Sequence, residues 1–343
     1  SITIPSSVTS IGDYALGFYI DYNTYNYAKY DNFKIYCYSG TAGEQYAKDN
    51  GFTYELLDKP TIANVTGFKV KSLTSTNVTL QWHKNSSASG YEIEQYKGGK
   101  WVNVAKITSN ATTSYTVKGL KAGTAGYQFR IRAYRAEGKN KAYSSYSATV
   151  KVNTNPYGVG GFKCSSKTST SVTLKWNKGT TASGYQLQQY KDGKWVTIYT
   201  GTKATNTSYT VKNLKAGTAG YRFRIRAYKT YGNTKQYGSW SSEVKVNTNP
   251  YGVGGFKAKS TAKNSITLGW NKGTTASGYQ LQQYKNGKWV TIYTGTKATN
   301  TSYTVKGLKA NTSYKFRIRA YKTYGNTKQY GSWSSTLTVK TKR

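Results

Sequence analysis

Arginine and aromatic residues recur at spacings able to grip an anionic, hydroxylated surface. Arg222, Arg224 and Arg226 alternate along one run, with Trp240 beyond it in Gly238-Ser239-Trp240-Ser241-Ser242, and the set returns as Arg317, Arg319 and Trp333. Guanidinium groups form bidentate hydrogen bonds with sulfate, phosphate or carboxylate, while indole and phenol rings offer flat faces to sugar rings. The same groups can instead stack on one another, each contact worth roughly 0.5 to 1 kcal/mol at an exposed site. Residue types alone leave both roles open. Tyr231 and Tyr237, repeated as Tyr324 and Tyr330, bracket the loop pattern Tyr-Gly-Asn-Thr-Lys-Gln-Tyr, where recognition often concentrates. An earlier run carries Tyr146 at the Trp240 position, which predicts a weaker first site.

Catalysis needs a titratable pair, an activated nucleophile or a metal set. His83 is the single histidine; it follows Trp82 and should point outward, and Asn177 and Asn271 take its place in later repeats. Cys37 and Cys164 lie far apart and imply neither a disulfide framework nor a metal cluster. From residue 62 onward the acids are Glu92, Glu94, Glu137, Asp192 and Glu243. Glu92 and Glu94 share a strand face, but Gln replaces both later, so a surface pair is expected rather than a hydrolytic one. Calcium wants about six to eight oxygen ligands, which the last repeat cannot supply from side chains. Gly158-Val159-Gly160-Gly161 reads as a linker, not a nucleotide loop. No enzyme activity, cofactor or metal is expected.

The 343 residues carry 50 Lys and Arg against 12 acids, a net charge of +38, and residues 251–343 contain no acid. Such a surface attracts polyanions in a salt-sensitive way without choosing among glycans, wall polymers, acidic membranes and nucleic acid. Aromatic content is 15% and Met is absent, which favours strands over helices. No apolar run approaches the roughly 18 residues of a membrane span.

These groups must be positioned by a repeated unit. Trp82, Trp176 and Trp270 are spaced by 94 residues, as are Tyr91, Tyr185 and Tyr279, and Trp101, Trp195 and Trp289. Within each copy, Val78, Leu80 and Trp82 alternate with polar residues, and Tyr221, Phe223, Ile225 and Ala227 alternate with the arginines, so one strand face is core and the other basic. Gly98-Gly99, Asp192-Gly193 and Asn286-Gly287 supply the positive φ of tight hairpins. About seven short strands per copy describe an antiparallel sandwich. Trp101, Trp195 and Trp289 follow those hairpins and are expected to cover the sheet edge.

The copies resemble the fibronectin type III family in the buried Trp82, Trp176 and Trp270, in Tyr115-Thr116-Val117, Tyr209-Thr210-Val211 and Tyr303-Thr304-Val305, and in the corner pair Leu308 and Tyr314. Leu120 to Tyr127 and Leu214 to Tyr221 carry one extra residue, which leaves the shape of that loop open. The resemblance implies three immunoglobulin-like β-sandwiches over 62–153, 157–248 and 251–341, mainly β, strung as an elongated rod. The Gly-Ser-Trp-Ser-Ser segment resembles the Trp-Ser element of cytokine-receptor sandwiches, in which Arg and Trp stack. Residues 1–58 resemble the end of a BspA-like leucine-rich-repeat array, from Ser1-Ile2-Thr3-Ile4-Pro5 through Tyr14-Ala15 with Leu16 where that family has Phe, and from Ile35 to Lys48. Thr41 and Glu44 have capping-box spacing and Gly51 can end a helix. Such a unit cannot stand alone, so a truncated cap of a longer bacterial surface protein is expected. The resemblances imply an extracellular, secreted or cell-surface adhesion module for an anionic glycan or cell-wall polymer, or for a host or bacterial surface protein. The alternative is a structural spacer presenting the N-terminal array or an absent catalytic domain. Nucleic acid is disfavoured, and a monomer is expected.

Overall fold

A computed structural model describes residues 1–57, 62–137 and 140–343. The chain divides into two compact units, one of Ser1–Lys69, Gln81–Ser114 and Phe129–Thr149, the other of Val70–Leu80, Tyr115–Gln128 and Val150–Arg343.

The second unit contains copies two and three whole. In copy two, Lys163–Lys167, Val172–Lys175 and Ser208–Val211 form a three-stranded sheet. The facing sheet runs Lys194–Gly201, Gly184–Lys191, Tyr221–Tyr231 and Thr234–Tyr237, with Val244–Val246 also paired to the long strand. The alternations read from the sequence bury Val172, Leu174, Trp176, Tyr185, Leu187, Phe223 and Ile225 between the sheets. Trp176 meets Tyr185 edge to face, centroids 5.5 Å apart. Asp192 and Gly193 take φ +48° and +78°, the left-handed pair that a two-residue hairpin matching strand twist requires. Copy three repeats the pairing from Lys257–Thr261 to Leu337–Lys340.

One irregularity matters for the outer face. Leu187 pairs with Tyr199 but the next residue, Gln188, pairs with Thr197, so Ile198 is an extra residue in the partner strand. A bulge reverses which face the following side chains occupy. Trp195, opposite Tyr190, therefore turns outward, although plain alternation from the inward Tyr199 would send it to the core. The same bulge recurs between Leu281 and Gln282.

Corner hydrogen bonds survive the extra loop residue. The Lys215 and Lys121 amides donate to the Tyr221 and Tyr127 hydroxyls at 2.9 and 2.8 Å, as Lys309 does to Tyr314 at 2.8 Å in the shorter loop. The same loop also meets the following copy. Gly217, at φ +59°, donates to the Asn249 carbonyl at 2.9 Å, and a Cβ there would lie 2.8 Å from Thr275 Cβ. Thr275 Oγ1 accepts from the Tyr251 amide at 2.9 Å. Gly123, Asn155, Tyr157 and Thr181, all in the same unit, repeat the arrangement. In copy three Asn311, φ +52°, takes the glycine's place and donates to Lys342 O.

In the first unit, copy one contributes Lys100–Ile107, Gly90–Lys97, the long strand to Glu137, and Asn140–Tyr143. Residues 1–57 form a parallel sheet of Ile2–Thr3, Lys34–Cys37 and Thr53–Leu56, with helix Ala42–Asp49 and a ribbon of Phe18–Asp21 and Asn26–Lys29. This corrects the leucine-rich-repeat expectation: no such repeat is present among the described residues. A solenoid needs one unit to recur at a fixed period, so that neighbours bury each other's faces. Here the parallel strands are unevenly spaced, an antiparallel ribbon intervenes, and Phe18, Phe33 and Phe52 help close a core around Ile35, Tyr46 and Ala47. The capping box is also corrected. The Thr41 hydroxyl donates to Tyr38 O rather than capping the helix, and Glu44 accepts from the Gly40 amide while pairing with Lys48. Gly51, φ +62°, ends the helix as expected. The expected boundary at Asp58 lies outside the described residues.

Candidate functional site

The long strand Tyr221–Tyr231 presents its arginines to the outer face of copy two, where each is clasped between aromatic rings. Arg222 lies over Tyr190 at 4.2 Å, Arg224 between Trp195 and Trp240 at 4.3 and 4.2 Å, and Arg226 between Trp240 and Tyr237 at 4.3 and 3.8 Å. The neighbouring strand supplies the second grip. Arg224 and Arg226 face Gln188 and Gln186 in register, and both guanidinium groups donate to those amide oxygens at 2.8–2.9 Å. Arg222 instead forms a two-pronged ion pair with Glu243, Nε and Nη2 each 2.8 Å from an oxygen.

Copy three carries the ladder without an acid. Arg317 is held between Trp289 and Trp333 at 4.4 and 4.3 Å, and Arg319 between Trp333 and Tyr330 at 4.3 and 3.8 Å. Gln282 and Gln280 accept from their Nε atoms. Lys315 stands over Tyr284 in place of Arg222.

Copy one builds the same stack on different counter-groups. Arg130 lies between Trp101 and Tyr146 at 4.3 and 3.8 Å, and Arg132 is 3.7 Å from Tyr143 and 4.9 Å from Tyr146. Glu94 and Glu92 occupy the Gln positions and pair with these arginines at 2.6 and 2.8 Å. Tyr143 and Lys141 also reach Glu92. Glu92 is only 8% exposed, so the surface-pair expectation is corrected: this carboxylate is enclosed and spoken for.

Electrostatics follow the counter-groups. Burial pushes the guanidinium pKa down at Arg224, Arg226 and Arg319. The Glu243 hydrogen bond raises that of Arg222. At Arg132 burial also pulls downward, but the Glu92 hydrogen bond and neighbouring charges turn the net shift upward. Burial first, then the Glu94 hydrogen bond, pushes the Tyr146 hydroxyl up to about 12. Among the described residues, none of Arg224, Arg226, Arg317 and Arg319 has a carboxylate in ion-pair range.

The expected set thus divides. Arg222, Arg224, Arg226, Tyr237 and Trp240 form one ladder, and Arg317, Arg319, Tyr330 and Trp333 another. Tyr231 and Tyr324 stand apart, half-buried at the joints, where their hydroxyls donate to the Thr154 and Thr248 carbonyls at 2.8 and 2.9 Å. Trp195, Trp289 and the four glutamines were missed as ladder members. The glutamines carried one signal, the exchange of Gln186, Gln188, Gln280 and Gln282 for Glu92 and Glu94 between copies, and the tryptophans carried none. His83 is exposed, its Nδ1 3.3 Å from Thr66 Oγ1. Cys37 is buried in the N-terminal core, and the Cys164 Sγ donates to Ser166 O. No cluster of three or more His, Cys, Asp or Glu side chains suited to a metal occurs among the described residues. No helix among them is long and apolar enough to cross a membrane.

The family model for the fibronectin type III domain matches residues 63–150, 157–244 and 251–337. Exoglucanase B of Cellulomonas fimi is 31% identical over 312 residues, covering 86% of this chain and 27% of that protein. Chitinase A1 of Niallia circulans is 32% identical over 194 residues, covering 53% of this chain and 25% of that protein. The chain therefore spans about a quarter of the length of these relatives. Among solved structures, the chicken CNTN1 FN1-FN3 domains align at TM-score 0.32 and 16% identity over 83% of this chain and 100% of that one.

Proposed function

This chain belongs to the fibronectin type III family, and from that premise we propose that it is a non-catalytic, extracellular binding module whose outer faces hold an anionic glycan or cell-wall polymer. Fibronectin type III domains occur in glycoside hydrolases and chitinases as non-catalytic linker or binding modules. The observation that carries the reading is the uncompensated ladder of copies two and three. Four guanidinium groups are fixed between rings and anchored by neutral amides, so their positions are set and their charge remains available to a ligand. Repetition adds avidity if one polymer reaches both faces.

The test is binding of the chain to a glycan array and purified wall polymers, at low salt and near 0.15 M, beside an Arg224→Ala, Arg226→Ala, Trp240→Ala variant. Selective binding that persists at the higher salt and falls in the variant supports the reading. Binding that is absent, or equal for every polyanion and abolished by salt, overturns it.

A second reading, a spacer presenting the N-terminal segment or an absent catalytic domain, is favoured by the joints. Tyr231 and Tyr324, with the close approach at Gly123 and Gly217, tie consecutive copies to each other in a manner suited to holding distance.

A further inference from the structure

Copy two has an opening on its flank that uses none of the ladder arginines. Between the edge strands Lys194–Gly201 and Ser208–Val211 the two sheets part around a cleft of about 1040 Å³. Its inner wall is apolar, from Ile198, Val211 and Leu214, except at Gln189. That side chain follows Tyr185 and Leu187 on the inward face of its strand and is 3% exposed. No side-chain hydrogen bond reaches its carboxamide among the described residues. In the counterparts Gln95 and Gln283, each 2% exposed, Oε1 is buried without a partner, whereas Gln189 lines the cleft. An enclosed amide without a protein partner is costly, and a leucine at this position would continue the apolar pattern, so the Gln189 amide on the cleft wall points to a guest that hydrogen-bonds it.

The remaining walls narrow the guest. Tyr209, stacked on Tyr199 at 4.3 Å, and Tyr221, whose hydroxyl is engaged by the Lys215 amide, supply aromatic surface. Lys191, Lys212 and Lys215 ring the mouth, opposed by Asp192 alone. A guest that fits has an apolar C–H surface for the rings, hydroxyls for the amide and one anionic group for the lysines. A pyranose bearing a carboxylate has all three. We propose that this cleft binds a hexuronic acid residue, with a hydroxyl paired to Gln189 and the carboxylate among the three lysines.

The experiment is amide NMR of the isotope-labelled chain at about 0.15 M salt, titrated with glucuronate, glucose, sodium sulfate and a galacturonate oligosaccharide. Glucuronate is expected to shift the amides of 189–191 and 209–215 at about a tenth of the concentration glucose needs. A tighter response to the oligosaccharide identifies a polymer-borne residue, and an equal one the free acid; either supports the site. Gln189→Leu is expected to abolish the response, Lys212→Ala with Lys215→Ala to weaken it about tenfold, and Asp192→Asn, the residue type at 286, to strengthen it. The amides of 189–191 and 209–215 report the cleft and those of 222–226 the ladder, so failure of the ladder reading does not carry over. Shifts absent from the cleft, sulfate matching glucuronate, or unchanged binding in both the Gln189 and the double-lysine variants would overturn the proposal.

Discussion

In copy one, Arg130 and Arg132 lie opposite Glu94 and Glu92, whereas in copy two Arg224 and Arg226 lie opposite Gln188 and Gln186. The stacking distances are nearly the same, 3.8 Å from Arg130 to Tyr146 against 4.2 Å from Arg224 to Trp240. Cross-strand register and the rings therefore place the guanidinium groups, and the counter-group decides how much charge is left over. Copy one closes its circuit internally, while copies two and three leave theirs open. A carboxylate and an amide of equal length are interchangeable for geometry but not for attraction to a polyanion.

The comparison breaks most visibly at the middle ring. Trp240→Ala removes the indole shared by Arg224 and Arg226, and is expected to cost copy two about 2 kcal/mol from two cation–π contacts and lost apolar burial. Tyr146→Ala should cost copy one about 1 kcal/mol, because Glu92 and Glu94 still hold its arginines. Hydrogen exchange along the two long strands measures each copy separately; equal losses would mean that the acids add nothing to the stack. Next in size is the charge swap. Gln186→Glu with Gln188→Glu should slow exchange slightly along the long strand of copy two and reduce polyanion affinity about fivefold, on the order of 1 kcal/mol for two half-buried pairs, read from the salt needed for elution. The reverse change, Glu92→Gln with Glu94→Gln, should raise affinity by a smaller factor, since Lys141 and Tyr143 lose a partner and copy one loosens. The smallest effect concerns acid. Its hydrogen bond to Arg222 holds Glu243 below the usual 4.5, so the pair's contribution is present above that value and is lost as pH falls through the lowered one. Wild-type exchange near Arg222 should rise there, and in Glu243→Gln the acid limb should vanish.

Much of this was legible from residues 62 to 343. Strand alternation gave the buried Phe223 and Ile225 and the outward arginines, and the turn pairs gave the hairpins, because periodicity and positive φ are local properties. The ladder was half legible. Arg222, Arg224, Arg226 and Trp240 belong to adjoining segments, but Trp195 turns outward through a bulge, and one extra residue cannot be seen in an alternation that already tolerates a single break. Gln186 and Gln188 reach the arginines through pairing with a strand some 40 residues on, a register the sequence does not state. The loop position of Tyr231 suggests recognition, because nothing local reveals that its hydroxyl meets Thr154 O. At the N-terminus a single strand–helix–strand passage resembles one turn of an array in motif, although strand spacing, not motif, decides whether a unit repeats.

The glycines at the joints make the order of the copies directional. Gly217 leaves room for Thr275, as Gly123 does for Thr181, whereas Asn311 carries a side chain at that place. Modules so alike look freely shuffled, yet copy three set ahead of copy two would press its asparagine against Thr181. Duplicating copy two would therefore preserve the joint, whereas setting copy three ahead of another such copy would loosen it.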